Sequence, residues 1–184
     1  MTENNIWTVD DRKEEKMLRG RARSFSFGPK GEPMMDGKKI TAQEFAALIQ
    51  KMKKAMKAAN GIGLSANQIG LDWNIFVAQV PGAQGESKFY AVLNPEIERT
   101  SSNTITLEEG CLSVPGVYGE VLRPERVTIK GFDRNGRPLK IKAWGLLARV
   151  FQHEIDHLNG KLFIDKAKRL ERVEREESPR SPHL

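Results

Sequence analysis

Two of the chain's three histidines stand at His153 and His157, in the run Gln152-His153-Glu154-Ile155-Asp156-His157-Leu158. On a helix, residues four apart share one face, so both imidazoles can meet a single metal ion. Glu154 follows the first histidine directly, where a carboxylate can handle the proton of a water that the metal activates. The alternative is an ordinary amphipathic helix that happens to carry two histidines. The spacing and the placed carboxylate together outweigh it.

A catalytic ion usually takes three protein ligands and keeps one position open, so the third ligand decides the class of chemistry. A longer histidine motif would place its last ligand at residue 163, but Phe163 stands there and cannot bind metal. Glu174, Glu176 and Glu177 are downstream carboxylates that a thermolysin-like enzyme would use. Cys111, the chain's one cysteine, is the other candidate, and a thiolate with two imidazoles suits zinc or an iron-group ion. The third histidine, His183, stands among the prolines of the tail and is read as neither ligand nor base.

The elements that must position these groups follow from the rest of the chain. At 184 residues it is most simply one domain with a real core, and a single cysteine rules out an internal disulfide and agrees with the cytoplasm. No apolar run approaches the ~18 residues of a membrane span, and the first residues lack a signal-peptide pattern. The net charge of +6 leaves room for an anionic partner such as RNA.

Residues 1–40 are charged and rich in loop signals, and they give no clear element. From Thr41 a helix is expected: Thr41 and Glu44 form a capping box, and Phe45, Leu48, Ile49, Met52 and Met56 recur at helical spacing up to the stop at Asn60-Gly61. Gly61-Ile62-Gly63-Leu64-Ser65-Ala66-Asn67-Gln68 superficially fits a dinucleotide fingerprint. It follows a helix and precedes a strand, which is the wrong order, so nucleotide binding is rejected. Its paired glycines instead let a backbone run close to a substrate, with the Gln68 amide beside it. Residues 73–142 read as strands, with Asp133-Arg134-Asn135-Gly136 as a hairpin turn. The histidine helix follows and stops at Gly160. From Lys166 a charged helix with a frayed end is expected, so the chain divides into 1–165 and a tail, 166–184.

Three motifs now stand in order: residues 61–68, Glu109-Gly110-Cys111-Leu112-Ser113, and Gln152-His153-Glu154-Ile155-Asp156-His157. Together they resemble peptide deformylase, the family that removes the formyl group from the N-terminal methionine of new bacterial chains. The resemblance runs from about residue 41 to 165. It implies an α+β fold, antiparallel strands packed around a central helix that carries the metal ligands. It also implies Cys111, His153 and His157 as ligands of one divalent ion, Fe(II) foremost, with Zn(II) or Ni(II) as substitutes. Glu154 becomes the proton carrier, while Gln68 and the Leu112 backbone N–H hold the oxyanion. Ile62, Gly63, Leu107, Leu146 and Val150 surround the methionine side chain. The substrate would be a formyl-methionyl nascent peptide, and the tail could dock on the ribosome.

The chain departs from the family pattern at Ser65, where alanine is usual, and at Tyr118, where an arginine commonly contacts the peptide. Arg149 likewise stands where an apolar residue is common. A thermolysin-like endopeptidase and an inactive homologue that only binds peptide or ribosome are the rival functions. The intact Glu154 and Gln68 speak against the second.

Overall fold

The structure, a computed structural model, describes residues 6–81 and 87–173. A short helix, α1 (Arg12–Leu18), opens it, with the Asp11 carboxylate accepting from the N–H groups of Lys13 and Glu14. Three very short strands follow, β1 (Ser26–Phe27), β2 (Pro33–Met35) and β3 (Lys38–Lys39), which form their own antiparallel sheet. Sequence patterning does not find them, because two or three residues are too few for an alternation to register.

Helix α2 (Ala42–Ala58) has the expected capping box, with Thr41 and Glu44 bonded reciprocally. The expected stripe of Phe45, Leu48, Ile49, Met52 and Met56 is its buried face. The stop works as read: Asn60 takes a left-handed φ of 55°. Next come β4 (Gly63–Ser65), a 3-10 turn at Ala66–Ile69, β5 (Ile75–Pro81), β6 (Ser87–Thr100), β7 (Thr104–Cys111), β8 (Val114–Pro124), β9 (Arg126–Phe132) and β10 (Pro138–Trp144). Helix α3 (Gly145–Leu158) carries the histidine motif, and β11 (Leu170–Arg172) closes the described chain.

The larger sheet has the order β10-β9-β6-β5-β4, and a second has β11-β8-β7. Their pairings are antiparallel, and Asp133–Gly136 lies in the β9–β10 hairpin as expected. Strand β5 shows how the core is divided. Phe76, Ala78 and Val80 pack with Phe151 and Ile155 of α3, while Ile75 and Val77 pack with Leu48, Met52 and Met56 of α2. Successive strand residues point to opposite faces, so the two helices cover opposite faces of one sheet. Helix α3 also contacts β4, β8 and β10, which makes it the central element. The architecture is thus the expected α+β arrangement.

The tail needs a correction. Residues 170–172 are not helical: they form β11, paired with Val117–Gly119 of β8. Strand β8 offers unpaired backbone groups on the side away from β7, and a chain lying against them satisfies both sets. Glu174, Glu176, Glu177 and His183 lie outside the described residues. Among the described residues no helix is long and apolar enough to cross a membrane.

Candidate metal centre and active site

Helix α3 delivers the two histidines from one face, as their spacing requires. His153 and His157 bring their Nε2 atoms to 3.2 Å, and Cys111 Sγ lies 3.1 Å from His157 Nε2. The cysteine arrives from the end of β7, in the other sheet. The three donor atoms all lie within 4.8 Å of one another, and this is the one such His/Cys/Asp/Glu group among the described residues.

Burial opposes ionisation of the Cys111 thiol. The imidazoles of His157 and His153 outweigh it and hold the thiol well below its ordinary range. Ser113 N–H adds a contact at 3.4 Å to the sulfur. On the far side of His153, Nδ1 lies 3.0 Å from Glu109 Oε2. Assigning that proton to Nδ1 leaves the Nε2 lone pair facing the cysteine, which is the arrangement a metal ligand needs. Two imidazole nitrogens and a sulfur held as thiolate, converging on one point, fit a divalent zinc or iron-group ion.

Glu109 is itself fixed. Arg123 grips both its oxygens, Nε to Oε1 at 2.5 Å and Nη2 to Oε2 at 2.9 Å, and Arg149 Nη1 adds 2.6 Å to Oε1. Burial pushes the Glu109 carboxyl up, but Arg123 and His153 outweigh it and hold the group below the usual carboxylate range. Arg123 also reaches Asp156 Oδ2 at 2.7 Å, which Lys166 Nζ meets at 2.6 Å.

Glu154 lies on the same helix and is 3% exposed, with Oε2 lacking any hydrogen-bond partner. Burial raises its pKa, against the pull of His153 and His157. A carboxyl pushed upward, with one oxygen unpartnered beside a candidate metal site, is suited to take and return a proton. Gly63 makes room for it, since a Cβ there would meet the Glu154 carboxyl carbon at 2.9 Å.

Comparisons with known proteins agree with this geometry. The sequence family described as polypeptide deformylase matches residues 31–173. The chain belongs to the peptide deformylase family. It is 45% identical over 144 residues to a peptide deformylase of Halothermothrix orenii, covering 76% of this chain and 91% of that one. It is 40% identical over 161 residues to one of Prochlorococcus marinus, with 80% of each chain covered. A solved peptide deformylase from Synechococcus elongatus, in complex with actinonin, superposes with a TM-score of 0.73 at 37% identity, covering 90% of this chain and 79% of that chain.

The motif around Gln68 supplies the remaining polar group. Gln68 Oε1 accepts from Ser65 N–H at 2.9 Å and from Ser65 Oγ–H at 3.0 Å, which turns Nε2 toward Ser113 Oγ at 3.1 Å and Cys111 Sγ at 3.7 Å. The Ser65 backbone N–H fixes which end of the amide faces the sulfur, and the hydroxyl, the departure from the family pattern, adds a second bond to the same oxygen. A cleft of about 470 Å³ opens over these groups, lined by Ile62, Gly63, Gln68, Leu112, Leu146, Val150 and Glu154 among others. Leu107 is not in that lining; it stands on β7, 43% exposed. Tyr118 borders the cleft with its ring against Gly110, where a Cβ would meet Cε1 at 2.8 Å.

Sequence reasoning missed the carboxylate that orients His153 and the cations that hold it. Glu109 stood inside the cysteine motif without a role, and Arg123 and Asp156 carried no local signal. A glutamate two residues before a candidate ligand cysteine, in a strand facing the histidine helix, was the available clue.

Proposed function

We propose that the chain is a metal-dependent deformylase that releases formate from the N-terminus of formyl-methionyl nascent peptides. The observation that carries this is the convergence of Cys111 Sγ and the two histidine Nε2 atoms beside a buried Glu154 whose Oε2 has no partner. Cys111, His153 and His157 would hold a divalent ion, foremost Fe(II) with Zn(II) or Ni(II) as substitutes, which would supply Lewis acidity for the attacking water and the formyl carbonyl. Glu154 takes the proton of the attacking water and passes it to the leaving amine, the role its raised pKa suits. The Gln68 amide and the Leu112 N–H hold the developing oxyanion, Gln68 being preset by Ser65.

The substrate backbone has a place to lie. Strand β4 is an edge of its sheet, paired with β5 alone, so Gly63 and its neighbours can take an extended peptide as an added strand. Ile62, Gly63, Leu146 and Val150 then meet the methionine side chain, with Leu107 further off. Work on nascent chains would set the protein in the cytoplasm. It would also bring the ribosome within reach of the basic residues Lys168, Arg169 and Arg172.

Two variants test the assignment together. Cys111→Ser should lose most of its bound metal, read by metal analysis of the purified protein. Glu154→Gln should keep metal and fold while formate release falls about 10²–10⁴-fold, the usual size of a lost general base. Full metal retention in the first, or near-normal turnover in the second, contradicts these roles.

A further inference from the structure

The pocket expected from sequence is apolar, yet one of its walls carries a guanidinium. Arg149 lines the cleft beside Leu146, Val150 and Gly63, and its side chain is 7% exposed. A guanidinium has five N–H donors. Nη1 donates to Glu109 Oε1 at 2.6 Å and to Val121 O at 3.0 Å, and Nη2 donates to Ile105 O at 2.8 Å. The Nε–H and the second Nη2–H have no acceptor among the described residues. Nε is not among the fully buried atoms left without a partner, and the side chain that carries it lines the cleft.

The charge behind this donor is incompletely neutralised. Glu109 is shared between Arg149 and Arg123, and Asp156 between Arg123 and Lys166. That sets three cations against two carboxylates. A donor on a cationic group, in a wall otherwise made of methylenes, favours a neutral acceptor that brings no charge to be stripped of water. A thioether sulfur is only a weak acceptor, whereas a sulfoxide oxygen on the same unbranched chain is a strong one.

We propose that Arg149 widens the specificity of the side-chain pocket to formyl peptides whose first side chain ends in a neutral hydrogen-bond acceptor, oxidised methionine foremost. This rests on the deformylase reading and names a substrate class within it. Leu146, Val150 and Ile62 hold the side-chain carbons, and Arg149 meets the oxygen. The same residue thus has two roles: its Nη atoms tie α3 to β7 and β8, and its remaining N–H groups serve the substrate.

The test compares formyl-methionine-sulfoxide-Ala-Ser with formyl-norleucine-Ala-Ser and formyl-Met-Ala-Ser on the Ni(II)-loaded enzyme, reading kcat/KM by formate release. The intact enzyme should process the sulfoxide at least as well as norleucine. In Arg149→Met the sulfoxide-to-norleucine ratio should fall about tenfold, with part of it kept in Arg149→Lys, as expected for a hydrogen bond from a charged donor. A ratio taken within one variant is unaffected by lost metal or a smaller folded fraction. An unchanged ratio in Arg149→Met overturns the proposal, and so does an intact enzyme that rejects the sulfoxide while accepting norleucine. No formate from any of the three peptides would overturn the deformylase reading itself.

Discussion

Each candidate metal ligand carries its own proton chemistry, and that chemistry is measurable. Without metal, the imidazoles of His157 and His153 hold the Cys111 thiol well below its ordinary range, and Cys111 in turn favours a proton on His153. Burial opposes that proton, but Cys111 and Glu109 overcome it and push the His153 pKa up to about 10. A metal ligand must be deprotonated, so metal binding at pH 7 displaces this proton. Titrating Zn(II) into the chelated protein in two buffers of different ionisation enthalpy should show about one proton released from His153 per ion. The sign follows: apparent affinity rises with pH up to about 10 and falls below it as protons compete. Binding with no proton release at pH 7 contradicts the thiolate–imidazolium pair. The histidine motif was readable because its partners are four residues apart on one helix. Cys111 needed a choice among distant ligands, which spacing alone left open.

Elements fix the site through a buried charge network that no local pattern announces. Glu109 and Arg123 sit on neighbouring strands, while Arg149 and His153 come from α3, 40 and 44 residues along the chain from Glu109. Such pairs exist only once β7, β8 and α3 are packed, so sequence periodicity could not show them. Helix α2 is the contrary case, since its cap and its buried stripe are both local and both were readable. Replacing Glu109 with Gln leaves two buried guanidiniums without their shared counter-charge. The loss should be about 3–5 kcal/mol, read by denaturant unfolding. Because the folded pKa of Glu109 is depressed, its contribution is full above the ordinary glutamate value and is lost as pH falls below it. The variant and the intact protein should therefore converge in stability toward acid, and a constant gap would contradict the network's role.

At the scale of the whole molecule, two sheets meet across α3, and the cleft lies where β4, the end of β7 and that helix come together. The tail was misread because its alternating charges suit an exposed helix. What decides residues 170–172 is the free edge of β8, a partner the sequence does not place. Lys168, Arg169 and Arg172 are exposed, so they can meet an anionic partner without disturbing the strand. Changing all three to Glu should weaken co-sedimentation with ribosomes at low salt while activity on short formyl peptides holds. Unchanged sedimentation would remove this segment from ribosome contact. The most direct measurement of the proposed activity is hydrolysis by anaerobic, Fe(II)-loaded protein, with formyl-Met-Ala-Ser and longer unformylated peptides side by side. A thiolate with two imidazoles, a buried Glu154 and a preset Gln68 predict rapid formate release from the first and almost no cleavage of the others. Internal cleavage of the unformylated peptides at comparable rates would contradict it.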